Sequence, residues 1–152
     1  MREIRNRKKY LLLIMLLCWI FLIFFMSSKP ADASLKDSSL IVDTLVNIFN
    51  LNYKYVDVLT TIVRKSAHFT EYFILCILST FTYKEFKGDK LNFSSVLLLC
   101  LLVAVFDEFL QKFIPGRSSE VKDVLIDFSG ATLFFTIYKL RSILVKAKCK
   151  RV

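Results

Sequence analysis

The stretch FSSVLLLCLLVAVFDEFLQKFI, residues 93–114, decides the fold. Its first fourteen positions carry no charge, and then Asp107 and Glu108 follow each other directly. A helix on the surface of a water-soluble protein shows an apolar stripe, with polar residues on the opposite face. Here the apolar residues form a block and the charges are pushed to its end. The block has the length of a membrane span, for which roughly 17–25 mostly apolar residues are needed.

Three more blocks share this layout. Residues 10–26 follow Arg2, Arg5, Arg7, Lys8 and Lys9; residues 67–83 precede a lysine-bearing loop, 84–92; residues 121–140 precede a tail with Arg141, Lys146, Lys148, Lys150 and Arg151. The expectation is an all-α integral membrane bundle of four transmembrane helices in a single domain, 1–152. The outer loop, 27–66, contains Leu40, Ile41, Leu45, Ile48 and Phe49 near helical spacing. This predicts a short amphipathic helix at the interface. Ser27-Ser28-Lys29-Pro30 ends the first helix. Ser118-Ser119-Glu120 reads as the start of the last one, a hydroxyl cap followed by an acid in the first turn.

Composition agrees: of 152 residues, 55% are hydrophobic and 14% aromatic, and only 3 are glycine. The net charge of +9 sits in segments that flank apolar blocks. That is the pattern of cytoplasmic loops facing anionic lipid, so no nucleic-acid partner is expected. The basic segments alternate as required for four spans with both termini inside. Ala31-Asp32-Ala33 is like a signal-peptide cleavage site, but the preceding block of 17 residues exceeds a signal-peptide core of about 7–15. An uncleaved signal anchor is expected. Cys18, Cys76 and Cys100 lie within apolar blocks and Cys149 in the basic tail, without C-x-x-C spacing. They read as packing residues and not as a disulfide or metal framework.

On this topology the polar residues of three spans fall at one membrane depth. His68, Glu71 and Tyr72 occupy i, i+3 and i+4 of one helical face, which Arg64 and Lys65 extend. Asp107, Glu108 and Gln111 lie at the same end of the next span, and Asp123 and Asp127 at that end of the last. Glu108 is six residues from Ile114, about 9 Å along a helix. Charge at such depth costs several kcal/mol unless it is paired or wet.

These motifs resemble the VanZ-like family. Arg64-Lys65-Ser66-Ala67-His68-Phe69-Thr70-Glu71-Tyr72 is similar to its second-span motif. Asp107-Glu108-Phe109-Leu110-Gln111 with Pro115-Gly116-Arg117-Ser118 is similar to its third span and following loop. Asp123-Val124-Leu125-Ile126-Asp127-Phe128-Ser129-Gly130 is similar to its fourth-span entry. The resemblance covers roughly residues 60–135. Phe109 departs from it, because many members carry histidine there. The resemblance implies a multi-pass protein of the bacterial cell membrane, connected with resistance to the lipoglycopeptide teicoplanin.

Two functional classes follow. In the first, an outer polar pocket formed by Arg64, Lys65, His68, Glu71, Tyr72, Asp107, Glu108, Gln111, Arg117, Asp123 and Asp127 binds a membrane lipid, a lipid-linked wall precursor or the lipoglycopeptide. In the second, a membrane-embedded enzyme acts on a lipid-linked envelope substrate. Glu108 or Asp107 is then the general base, His68 the acid or base, and Arg117 the phosphate clamp. No serine or cysteine elbow supports covalent catalysis, and transport by four short helices would need an oligomer. Asp107, Glu108 and Asp127 form a set that a divalent ion could use, but no metal and no cofactor is called for. A homo-oligomer is allowed.

Simpler roles stay open for each residue. His68 could be hydrogen-bonded to Glu71. Asp107 and Glu108 could pair with Lys65 or Arg117. Asp123 could favour a helix N-terminus through the dipole. Arg117 could be a loop charge meeting lipid phosphate. Gly116 fits a turn and Gly130 a close helix contact.

Overall fold

A computed structural model describes residues 2–50, 52–88 and 91–149. Leu51, Lys90, Lys150 and Arg151, which fall in stretches read above, lie outside them. The described chain is α-helical, without strands: α1 (Arg2–Ser27), α2 (Ala31–Phe49), a single 3-10 turn (Tyr53–Tyr55), α3 (Val56–Lys87), α4 (Phe93–Gln111) and α5 (Val121–Cys149).

Among the described residues, three helices are long and apolar enough to cross a membrane: Asn6–Ser27, Phe93–Gln111 and Val121–Val145. This corrects the expectation of four such segments. The helix that contains residues 67–83 does not qualify, for a physical reason. At one end α3 carries Arg64, Lys65, His68 and Glu71, and at the other Lys84, Glu85 and Lys87. Its 32 residues still span about 48 Å, and it is the central helix, packed against α1, α2, α4 and α5. The other helices surround it and leave large apolar side chains outside, among them Leu11, Phe21, Leu102, Phe106, Ile137 and Leu140. An apolar exterior around a polar central helix is the build of a multi-pass membrane protein.

Several boundaries differ from the sequence reading. α3 starts at Val56, so residues 56–66, assigned above to the outer loop, are helical. Nothing between Val56 and Ala67 breaks a helix: there is no proline or glycine, and charge alone does not terminate one. The chain breaks instead at two asparagines. Asn50 ends α2 in the left-handed conformation at φ 48°, its N–H bonded to the Val46 carbonyl, a regular helix stop. Asn52 then accepts the Lys54 N–H through its side chain at 3.0 Å and opens the next turn. α4 ends at Gln111, three residues before the expected end of the span, and α5 continues through the basic tail to Cys149.

The amphipathic helix in the first loop is α2. It buries Ser38, Val42 and Val46, one residue per turn, against α3. Leu40, Ile41, Ile48 and Phe49 stay exposed. The bundle core is formed by Leu16 and Ile23 of α1, Tyr72, Leu75 and Cys76 of α3, Val96, Cys100, Val103 and Ala104 of α4, and Ala131 of α5. Cys76 and Cys100 are free thiols within it. Side-chain hydrogen bonds fix α1 along α3: Trp19 Nε1 donates to the Glu71 carbonyl at 3.0 Å, Thr82 Oγ1 to the Leu12 carbonyl at 3.3 Å, and Lys8 Nζ to Glu85 Oε1.

Candidate functional site

One end of the bundle collects the polar residues of four helices. On α3, His68 Nδ1 lies 3.6 Å from Glu71 Oε2 and 3.8 Å from Asp127 Oδ1. Both distances are ion-pair separations and too long for hydrogen bonds. Asp127 comes this near because α5 packs directly on α3 at Gly130. A methyl group there would stand 3.0 Å from the Phe69 carbonyl carbon and 3.2 Å from the Phe73 nitrogen, with the Phe69 oxygen nearer still. Only glycine permits this approach, and it carries Asp127, almost one turn earlier on α5, to His68.

α4 contributes Asp107, which is fully buried. Its Oδ2 accepts hydrogen bonds from Ser27 Oγ at 2.8 Å and Gln111 Nε2 at 3.1 Å. The pairing of Asp107 with Lys65 or Arg117 that the sequence left open is not what forms. Ser27 was missed. It is the last residue of α1 and 3% exposed, and its signal was a hydroxyl at the end of an apolar block, at the depth of Asp107. Glu108, the neighbour of Asp107, faces elsewhere. Its Oε2 accepts the Glu120 backbone N–H at 3.1 Å, at the entry to α5. Because α5 begins at Val121, Glu120 stands just outside the helix and not in its first turn.

The cations are arranged above this buried layer. Lys65 Nζ pairs with Asp123 Oδ1 at 2.9 Å. Arg117, in the α4–α5 connection, donates from Nε to the Lys29 carbonyl at 3.0 Å, from Nη1 to Gln111 Oε1 at 3.4 Å and from Nη2 to the Met26 carbonyl at 3.5 Å. It thus ties down the chain where α1 ends, sharing the Met26 carbonyl with the Lys29 N–H, which reaches it at 3.3 Å. The Ala31 N–H bonds the Pro115 carbonyl at 3.4 Å beside it. Burial, and then the nearby Arg64, push the Arg117 guanidinium down from its ordinary value.

Two cavities meet at Arg64, His68 and Arg117. One, of 50 Å³, is lined also by Lys65, Glu108, Gln111, Gly116, Ser118 and Asp123. The other, of 140 Å³, opens between α2 and α3, with Lys29, Asp37, Ser38 and Glu71 on one part of its wall and Met26, Ile41 and Val63 on another. Ten of the eleven residues selected from the sequence line a cavity or sit in the buried layer beneath. The eleventh, Tyr72, lies below them with no exposure. Phe109, the departure from the family pattern, is exposed and stacks edge-on with Phe113, so a histidine there would point away from this layer.

A family model described as VanZ/LLP1 matches residues 12–144. No curated protein and no solved structure matches the chain.

Proposed function

The chain belongs to the VanZ/LLP1 family, and from that premise we propose that it alters susceptibility to teicoplanin-type lipoglycopeptides by binding a lipid-linked envelope component, or the drug, at the polar end of the bundle. The observation that carries this reading is the 140 Å³ cavity: Arg64 and Arg117, with Lys29 paired to Asp37 at 2.8 Å, face the same space as Met26, Ile41 and Val63. Cations beside an apolar wall suit an amphiphile whose phosphate or carboxylate lies next to its hydrocarbon. Burial and the neighbouring Arg64 disfavour the charged Arg117 guanidinium, and a bound anion would favour it.

In this reading α3 is the fourth span, its polar groups shielded by the helices around it. Both termini and the connection near residue 88 face the cytoplasm of a bacterial cell, so the polar end opens on the outer side, where wall precursors and an acylated drug meet the bilayer. Two contacts favour binding over catalysis. Glu108 is engaged by the Glu120 N–H, which gives one of its oxygens a structural part at the entry to α5. Arg117 is held by three acceptors of the protein itself, so it cannot swing as a transition-state clamp without releasing α1.

Mass spectrometry of lipids retained by the purified protein tests the reading. A lipid-linked wall precursor should be enriched over bulk phospholipid and lost in an Arg64→Gln, Arg117→Gln double variant. Retention of bulk lipid alone, equal in both proteins, would contradict it.

A further inference from the structure

From His68, at the cavity wall, down to two buried carboxylates runs a set of groups whose idle polar atoms ligand binding in the cavities does not explain. His68 of α3, Asp107 of α4 and Asp127 of α5 each present one ligand-type atom, and these atoms lie within 4.8 Å of one another. Asp127 is 1% exposed and Asp107 0%. Neither oxygen of Asp127 has a hydrogen-bond partner, nor has Asp107 Oδ1 or His68 Nδ1. The Tyr72 hydroxyl beside them is also unpartnered. Buried polar atoms are nearly always satisfied, and two carboxylates in an apolar bundle with three idle oxygens are a costly exception.

We propose that His68, Asp107 and Asp127 hold a divalent transition-metal cation, Mn2+ or Zn2+, between α3, α4 and α5. Tetrahedral ligands at about 2.0–2.2 Å from one ion stand about 3.3–3.6 Å apart, so a contraction of about 1 Å at the longest separation seats it. One imidazole nitrogen with two carboxylates selects a transition ion over Mg2+ or Ca2+, which prefer oxygen alone. Ser27 and Gln111 hold the far oxygen of Asp107 and so fix the near one, as the outer partners of metal ligands do. Glu71, whose Oε2 is 3.6 Å from His68 Nδ1, stands outside this set. Glu108, part of the ion set considered from sequence, is not in this one, because it faces Glu120. The cation does not depend on which molecule the cavities bind.

The test uses the full chain in detergent, stripped with chelator, dialysed against Mn2+ or Zn2+ and assayed by elemental mass spectrometry. The wild type should retain one ion per chain. Asp127→Asn should weaken retention by about tenfold or more, on the scale of lost metal-site contacts, and Glu120→Gln, an exposed acid nearby, should leave it unchanged. Pulsed electron paramagnetic resonance of the Mn2+ form should show a nitrogen coupling that His68→Gln removes. The coupling needs only the wild type and so stands even where a variant fails to fold. Wild-type protein that retains neither ion, retention undiminished in Asp127→Asn, or bound Mn2+ without nitrogen coupling would each overturn the proposal.

Discussion

Gly130 of α5 rests on the backbone of Phe69 in α3, with no room between them for a methyl group. This contact sets the distance between the two helices, and hence between His68 and Asp127, the neighbours of those two residues along their helices. Gly130→Ala should therefore act twice. Overpacking of this kind costs about 1–3 kcal/mol, read as a lower thermal midpoint in detergent. The variant should also lose any property that needs His68 and Asp127 together. A thermal midpoint within error of the wild type would show that the helices part without cost.

The polar tie at the end of α1 predicts a difference between two basic residues. Arg117 reaches Lys29, Gln111 and Met26 with three separate nitrogens. An ammonium group cannot span these acceptors as a planar guanidinium does. Arg117→Lys should therefore lower the thermal midpoint nearly as much as Arg117→Gln, by about 1–3 kcal/mol for hydrogen bonds from a charged donor. Full stability in Arg117→Lys would mean that only the charge matters.

Lys65 and Asp123 predict a small effect. Their side chains are 36% and 23% exposed, and partly exposed pairs are worth about 0–1 kcal/mol. A double-mutant cycle with Lys65→Gln and Asp123→Asn should give a coupling in that range. A larger coupling would place the pair in a drier setting, and the Lys65 charge would then matter to the fold more than to a ligand.

Orientation is tested by labelling. In a cysteine-free variant, Asn50→Cys should react with an impermeant reagent in intact cells, and Asn92→Cys should react only after the membrane is opened. The reverse pattern would put the polar end on the cytoplasmic side.

Much of this architecture could be read from residue order, for identifiable reasons. Apolar blocks reveal spans because hydrocarbon tolerates few charges, and helical spacing puts His68, Glu71 and Tyr72 on one face. The family motifs, Arg64 to Tyr72 among them, led to the same family that the match over residues 12–144 shows. The number of apolar spans was overcounted because α3 keeps its polar residues by packing at the centre, which block-counting cannot see. The break between α2 and α3 was overlooked because it depends on the backbone preferences of Asn50 and Asn52 and not on hydropathy. The partners of the acids were the least legible. Ser27 and Asp107 are 80 positions apart, and adjacent Asp107 and Glu108 point to different neighbours. Sequence gives the depth of a side chain in a helix bundle, but its rotation is set by packing.

The central claim is that the polar end of the bundle, and not the basic tail, carries the effect on drug susceptibility. The direct measurement is the teicoplanin susceptibility of cells producing wild type, Glu108→Gln, Asp127→Asn, Arg117→Gln or a truncation after Leu144, at matched membrane levels. Each charge-removing change keeps much of the side-chain size, so expression can be equalised. The account predicts that Asp127→Asn and Arg117→Gln fall to the empty-vector value, that Glu108→Gln is weakened through the entry to α5, and that the truncation keeps the wild-type value. Wild-type susceptibility in the charge-removed variants, together with loss of the effect in the truncation, would contradict it.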